Sequence, residues 1–265
     1  MVTAMARRAH SDTVPFGNLR VPPEDKPDLV QQVFDGVASR YDVMNDLMSF
    51  GLHRLWKRAL IDWLNPRPPM HLLDVAGGTG DIALRFLERM ARGQRPDSAP
   101  AGAQATVVDA NAAMVAVGAD RAINRGLLSG IAWVCGDAEA LPVADRSVDA
   151  VTIAFGIRNV TRVERALGEA RRVLRPGGRF LCLEFGRVVL AGLDRAYDAY
   201  SFTVVPALGG IVTGQREPYS YLVESIRHFP DQDTFSAMIA EAGLGQVNYR
   251  NLSGGIAMLH SAWRL

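Results

Sequence analysis

The chain has little cysteine and little lysine: two of each in 265 residues, Cys135 and Cys182, Lys26 and Lys57. Both cysteines fall in apolar runs that read as strands, so buried free thiols in a reducing compartment are expected rather than a disulfide or a catalytic thiol pair. No apolar run reaches the length of a membrane span, which argues against an integral membrane protein. The basic start Arg7-Arg8-Ala9-His10 has no apolar core behind it and does not read as a secretory signal. An excess of one charge is missing too. With 29 Lys and Arg against 28 Asp and Glu the formal net charge is +1, so nothing points to a polyanionic partner. The five histidines, His10, His53, His71, His228 and His260, lack ligand spacing, and no metal site is expected.

What is present suits one α/β domain with appendages. Residues 1–26 hold several prolines without apolar periodicity and read as a flexible arm. Leu29, Val30, Val33, Phe34, Val37 and Tyr41 then recur at helical spacing behind Asp28, a candidate cap. A second helix carries Leu52, Trp56, Ala59, Leu60, Trp63 and Leu64 on one face until Pro66, Pro68 and Pro69 stop it. Residues 27–65 therefore form a helical cap on a domain spanning 27–265. From His71 the pattern alternates: strands at 71–75, 105–108, 131–135, 148–154 and 179–185, with helices between. Thr161 and Glu164 fit a capping box for the helix that Pro176-Gly177-Gly178 ends. A helix over 231–242, capped by Asp231 or Asp233, precedes two strands near 246–251 and 256–263 that would close the sheet as a hairpin. Such alternation implies a largely parallel sheet covered on both faces. The segment 188–229, with Tyr197, Tyr200, Phe202, Tyr219 and Tyr221, breaks the rhythm and reads as an insertion, either a substrate lid or packing against the cap.

Three turns carry chemistry. Gly77, Gly78 and Gly80 follow the first strand, where a backbone without Cβ atoms turns sharply and a helix N-terminus offers free N–H groups. The same residues satisfy a dinucleotide pattern, Gly78-Thr79-Gly80-Asp81-Ile82-Ala83, so an NAD(P)-linked oxidoreductase is an alternative, as is a plain tight turn. Asp109 ends the second strand, placed to accept from both ribose hydroxyls; otherwise it caps the next helix, a task Asn111 can also perform. Asp137 and Ala138 follow the third strand, where they either meet an adenine ring or form a simple turn. The oxidoreductase reading is weakened because Pro22 and His53, not tyrosines, stand four residues before the lysines, so the Tyr-x-x-x-Lys pair is absent.

The stretches Ala38-Ser39-Arg40-Tyr41-Asp42-Val43-Met44-Asn45-Asp46, His53-Arg54-Leu55-Trp56-Lys57, Asp74-Val75-Ala76-Gly77-Gly78-Thr79-Gly80-Asp81, Phe155-Gly156-Ile157-Arg158-Asn159-Val160 and Tyr221-Leu222-Val223-Glu224-Ser225-Ile226-Arg227 resemble the ubiquinone/menaquinone biosynthesis C-methyltransferases, the UbiE family. The resemblance covers nearly everything after about residue 27. It implies a class I S-adenosylmethionine-dependent methyltransferase fold: Rossmann-like, with a seven-stranded, mostly parallel sheet, a C-terminal antiparallel hairpin and the helical cap. It also implies S-adenosylmethionine as cofactor, with Gly77, Gly78, Thr79, Gly80, Asp109, Asp137 and Ala138 around it. Arg158, Asn159 and Tyr41 are then the polar group around a quinol hydroxyl, Arg158 being alternatively a structural partner of Asp74 or Asp109. Met44, Met48, Phe50, Phe155 and the 200–221 segment are candidate walls for a prenyl tail. Where the family often has a serine before Phe-Gly, this chain has Ala154. The implied substrate is a polyprenyl benzoquinol or naphthoquinol, with an O- or N-methyltransferase of a soluble metabolite as the alternative. The implied setting is cytoplasmic, in peripheral contact with the inner face of the membrane or in a quinone-biosynthesis complex.

Overall fold

The computed structural model describes residues 13–35, 46, 49, 51–91, 104–127, 129–189 and 217–265. Part of the expected flexible arm is structured. β1 (Val14–Phe16) and β2 (Leu19–Val21) pair antiparallel around Gly17, whose φ of 57° suits the tight turn. Three-residue strands are too short to show periodicity, which is why they read as coil. α1 (Lys26–Asp35) begins at Lys26, so Asp28 lies inside its first turn and not at the cap. α2 (His53–Leu64) buries His53, Trp56, Lys57, Leu60, Ile61 and Leu64, and Asn65 ends it in the left-handed conformation.

The remaining elements are β3 (Leu72–Val75), α3 (Asp81–Ala91), β4 (Ala105–Asp109), α4 (Ala112–Asn124), β5 (Ile131–Cys135), β6 (Val148–Ala154), α5 (Val163–Val173), β7 (Leu174–Phe185), α6 (Glu217–His228), α7 (Gln232–Glu241), β8 (Gly245–Leu252) and β9 (Ala257–Trp263). The seven-stranded sheet runs β5-β4-β3-β6-β7-β9-β8. Its β3, β4, β5, β6 and β7 pair parallel, and β9 inserts antiparallel between β7 and β8.

Alternation along the strands divides the core in two. Leu72, Val107, Ala150, Leu181, Leu183 and Leu259 face α2, α3 and α6; Leu73, Val108, Val151, Phe180, Cys182 and Met258 face α5 and α7. Asp74, Thr152 and Glu184 stand on these buried strands as polar exceptions, each 0% exposed. Two local expectations fail. The helix α5 starts after Arg162 without a side-chain cap, so Thr161 and Glu164 form no capping box. The Arg162 N–H instead donates to Glu139 Oε1 at 2.9 Å, a partner distant in sequence. Cys182 is buried, but Cys135 is exposed, because β5 is an edge strand. Among the described residues, no helix is long and apolar enough to cross a membrane.

Candidate active site

A cavity of about 290 Å³ opens at the carboxyl ends of β3, β4, β5 and β6. β4 and β6 flank β3 on opposite sides, so this is the switch point where open α/β sheets bind ligands. The residues picked from three separate turns meet here: Gly77, Gly78, Thr79, Asp109, Asp137 and Ala138 all line it. Pro27, Val30 and Gln31 of α1 and Lys57 of α2 line it from the cap.

The glycines divide the work. A Cβ on Gly77 would stand 2.8 Å from Val107 Cγ1 and 2.9 Å from Asp74 Oδ2, so only bare backbone fits there. Gly80 is not among the lining residues, and a Cβ on it would strike the Trp133 ring. Its N–H closes the turn on Gly77 O at 2.9 Å.

Asp109 accepts from the Gly78 N–H through Oδ2 and from the Asn111 N–H through Oδ1, each at 2.8 Å. Burial raises its pKa against those two bonds. Asn111, not Asp109, caps α4 by accepting from the Met114 N–H at 3.0 Å. Asp137 accepts from the Glu139 N–H at 2.8 Å, so the turn and the cavity wall are the same structure. Thr79 Oγ1 accepts from Arg121 Nη1 at 3.1 Å. Asp74 is fully buried and accepts from Thr152 Oγ1 at 2.7 Å, while its Oδ2 has no partner among the described residues. Burial lifts its pKa to about 7, opposed by the Thr152 and Ala83 hydrogen bonds and by Lys57.

Asn159 lines the other end of the cavity, beside Phe155 and Val160. Its Oδ1 accepts from Tyr221 Oη at 3.2 Å. Arg158 is not among the lining residues. Its side chain is 2% exposed, and Nη1 donates to Glu184 Oε1 at 2.9 Å and to Phe155 O. The partner is therefore Glu184, and neither Asp74 nor Asp109. Burial raises the Glu184 pKa, with Arg158 opposing it. Tyr41, Met44, Met48, Phe50 and 200–216 lie outside the described residues.

Three residues of this neighbourhood, Lys57, Lys26 and Glu184, were not picked out for a role by sequence reasoning. Lys57 Nζ pairs with Asp81 Oδ2 at 3.0 Å, and Lys26 Nζ donates to Val160 O at 3.0 Å, fastening α1 over the cavity. Burial draws Lys26 down to about 8 although Glu139 opposes it. Glu184 and Tyr221 complete the acceptor end. The available signals were an acid inside an apolar strand, Leu183-Glu184-Phe185, and a chain with only two lysines, one just before the expected cap and one within it.

A model of the ubiE/COQ5 methyltransferase family matches residues 22–264. The chain belongs to the ubiE/COQ5 methyltransferase family. It is 58% identical over 250 residues to the ubiquinone/menaquinone biosynthesis C-methyltransferase UbiE of Paracoccus denitrificans, covering 94% of this chain and 96% of that one. It is 57% identical over 259 residues to the UbiE of Methylobacterium nodulans, covering 97% and 99%. The fold is similar to a Thermotoga maritima structure described as a SAM-dependent methyltransferase, possible histamine N-methyltransferase. That match has a TM-score of 0.57 and 18% identity, and covers 88% of this chain and 100% of the other. The class I S-adenosylmethionine-dependent methyltransferase fold is thereby established, and the oxidoreductase alternative falls with the family assignment.

Proposed function

We propose that this chain transfers the methyl group of S-adenosylmethionine to a ring carbon of a polyprenylated quinol, in ubiquinone biosynthesis, menaquinone biosynthesis or both. The observation that carries the reading is the match to UbiE enzymes over nearly the full length of both chains. The cavity fits the cofactor. The Gly77 turn packs so closely on Val107 and Asp74 that a side chain is excluded and bare backbone lines the cavity there, and the buried Asp74 Oδ2 lacks a protein donor among the described residues. Asp109 would take the ribose hydroxyls, Asp137 and the Ala138 amide the adenine, and Thr79 with the Gly77–Gly78 backbone the tail. When bound, S-adenosylmethionine supplies an electrophilic methyl on its sulfonium, so the protein's task is to activate and aim the acceptor.

A quinol ring carbon becomes strongly nucleophilic when the adjacent hydroxyl loses its proton, and general-base help is worth about two to four powers of ten. Holding carbon and methyl in line at about 3–3.5 Å contributes at least as much. Guanidinium groups do not serve as general bases in proteins, so that role does not fall to Arg158. Bonded to Phe155 O and to its counter-ion Glu184, it stabilises the phenolate as the positive end of a buried ion pair. Asn159 reaches the cavity wall. With Oδ1 engaged by Tyr221, its amide N–H groups remain to hold the acceptor oxygen or a water that carries the proton away. Tyr41 belongs to the same polar group through the family resemblance. A prenyl tail requires peripheral contact with the membrane or delivery within a quinone-biosynthesis complex.

Complementation of a quinone-deficient strain, with labelled methyl traced into the product, tests the reaction and separates benzoquinol from naphthoquinol. Methyl appearing on oxygen or nitrogen would move the assignment to the alternative acceptor class. Arg158→Ala is expected to abolish turnover while S-adenosylmethionine binding by calorimetry is unchanged; turnover at the wild-type rate in that variant would remove Arg158 from the mechanism.

A further inference from the structure

Among the described residues lining the cavity, five bear carboxyl groups, namely Asp74, Asp81, Asp109, Asp137 and Glu139, and one bears a cation, Lys57. S-adenosylmethionine is cationic at its sulfonium and its α-ammonium and anionic only at its α-carboxylate. A wall so rich in carboxyls suits the cations and repels the carboxylate, unless that group is placed against the single ammonium. We infer that Lys57 anchors the α-carboxylate of the cofactor's amino-acid tail, so that the cap helix α2, and not the sheet, supplies the one cationic contact to the cofactor.

Three features make Lys57 fit for this. It is only 5% exposed, although lysine is almost never so buried without a partner. Its partner Asp81, 3.0 Å away, leaves two of the three ammonium donors for a ligand. Asp81 is a lasting counter-ion: burial pushes its pKa up, but Lys57 and Arg85 overcome this and hold it at about 2. The preceding residue in the chain fixes the helix in place. Trp56 Nε1 donates to Ser253 Oγ at 2.9 Å, and the indole packs 6.2 Å from Phe155 and 6.1 Å from Phe185, centroid to centroid. Lys57 is therefore delivered to the cavity by a rigid neighbour, and cap docking and cofactor binding become linked.

The inference rests on the cavity being the cofactor's and is independent of which acceptor is methylated. The test is calorimetry on the full chain with three ligands: S-adenosylmethionine, its decarboxylated analogue, and 5′-methylthioadenosine, which lacks the tail. The wild type is expected to prefer S-adenosylmethionine to the decarboxylated analogue by about tenfold to a hundredfold, the range for a hydrogen bond between charged groups. Lys57→Met is expected to erase that preference and leave 5′-methylthioadenosine affinity unchanged, and Lys57→Arg to restore it. A purely structural bridge would instead weaken all three ligands together in Lys57→Met, which overturns the inference. The comparison in the wild type needs no variant, so equal affinities there overturn it even if Lys57→Met fails to fold. Binding of none of the three overturns the cofactor site and the anchor with it.

Discussion

The two ends of the cavity differ in how much of their polar wiring is local along the chain. At the cofactor end, Asp109 and Asp137 each accept an N–H two residues ahead, from Asn111 and Glu139, and the longer links, Gly78 to Asp109 and Thr152 to Asp74, run only between neighbouring strands of the sheet or the turns that end them. At the acceptor end, Arg158 meets Glu184 across 26 positions, Tyr221 meets Asn159 across 62, and Lys26 meets Val160 across 134. The first end is made of strand-ending turns and adjacent strands of the sheet, with Lys57 of α2 added from outside it. The second exists only once α1, α6 and β7 have docked. Binding of the cofactor should therefore tolerate damage to α1, α6 and β7 that turnover does not.

The largest expected consequence lies in the Arg158–Glu184 pair. Glu184→Ala leaves a guanidinium 2% exposed beside no carboxylate. Breaking a buried pair from one side costs about 3–5 kcal/mol. Denaturant melts should show a loss of that size, and turnover should fall further than stability alone explains. A near-neutral substitution would mean that the pair is not a structural element of the acceptor end.

At the cofactor end the corresponding test is pH. Asp74, lifted to about 7, keeps in the folded state a proton that the unfolded chain releases near pH 4. Between those values the native state binds more protons than the unfolded one, so this group's contribution to stability falls as pH rises through the window. Asp74→Asn removes the dependence. Relative to the wild type, it should gain a few kcal/mol between pH 4 and pH 8 in urea melts. Parallel stability curves would show that Asp74 is already ionised at pH 5.

This contrast in distance also decides what could be read from the sequence. The glycine turn, Asp109 and Asp137 stood out because strand, turn and helix follow one another within a few residues. The topology was legible for the same reason: alternating strands and helices admit few arrangements. Glu184 was not, since an acid at the end of an apolar strand names no partner until β6 and β7 lie side by side. The same holds for Arg162, whose N–H is taken by Glu139 where a local Thr161–Glu164 box was expected. Gly80 shows a second reason for a motif glycine: the Trp133 ring, brought in from β5, leaves no room for a Cβ there.

The subtlest expected effect comes from Tyr221, which joins the N-terminal hairpin to the acceptor end. Its ring stacks on Phe16, with centroids 4.4 Å apart, and its hydroxyl reaches Asn159. Asn18 of the same hairpin donates its N–H to Glu224 one helical turn along α6. Burial pushes the Tyr221 pKa up to about 12, with Arg158 opposing, so the phenol stays a donor at any working pH. Tyr221→Phe keeps the stack and deletes only the hydroxyl, so the fold should lose little. The Asn159 amide then turns more freely, which should lower kcat by about tenfold, equal to roughly 1.4 kcal/mol of transition-state stabilisation. Because the effect is confined to the acceptor end, calorimetry should give the wild-type affinity for S-adenosylmethionine. A parallel loss in cofactor affinity would mean that α6 supports both ends of the cavity and that the division between them is only one of sequence distance.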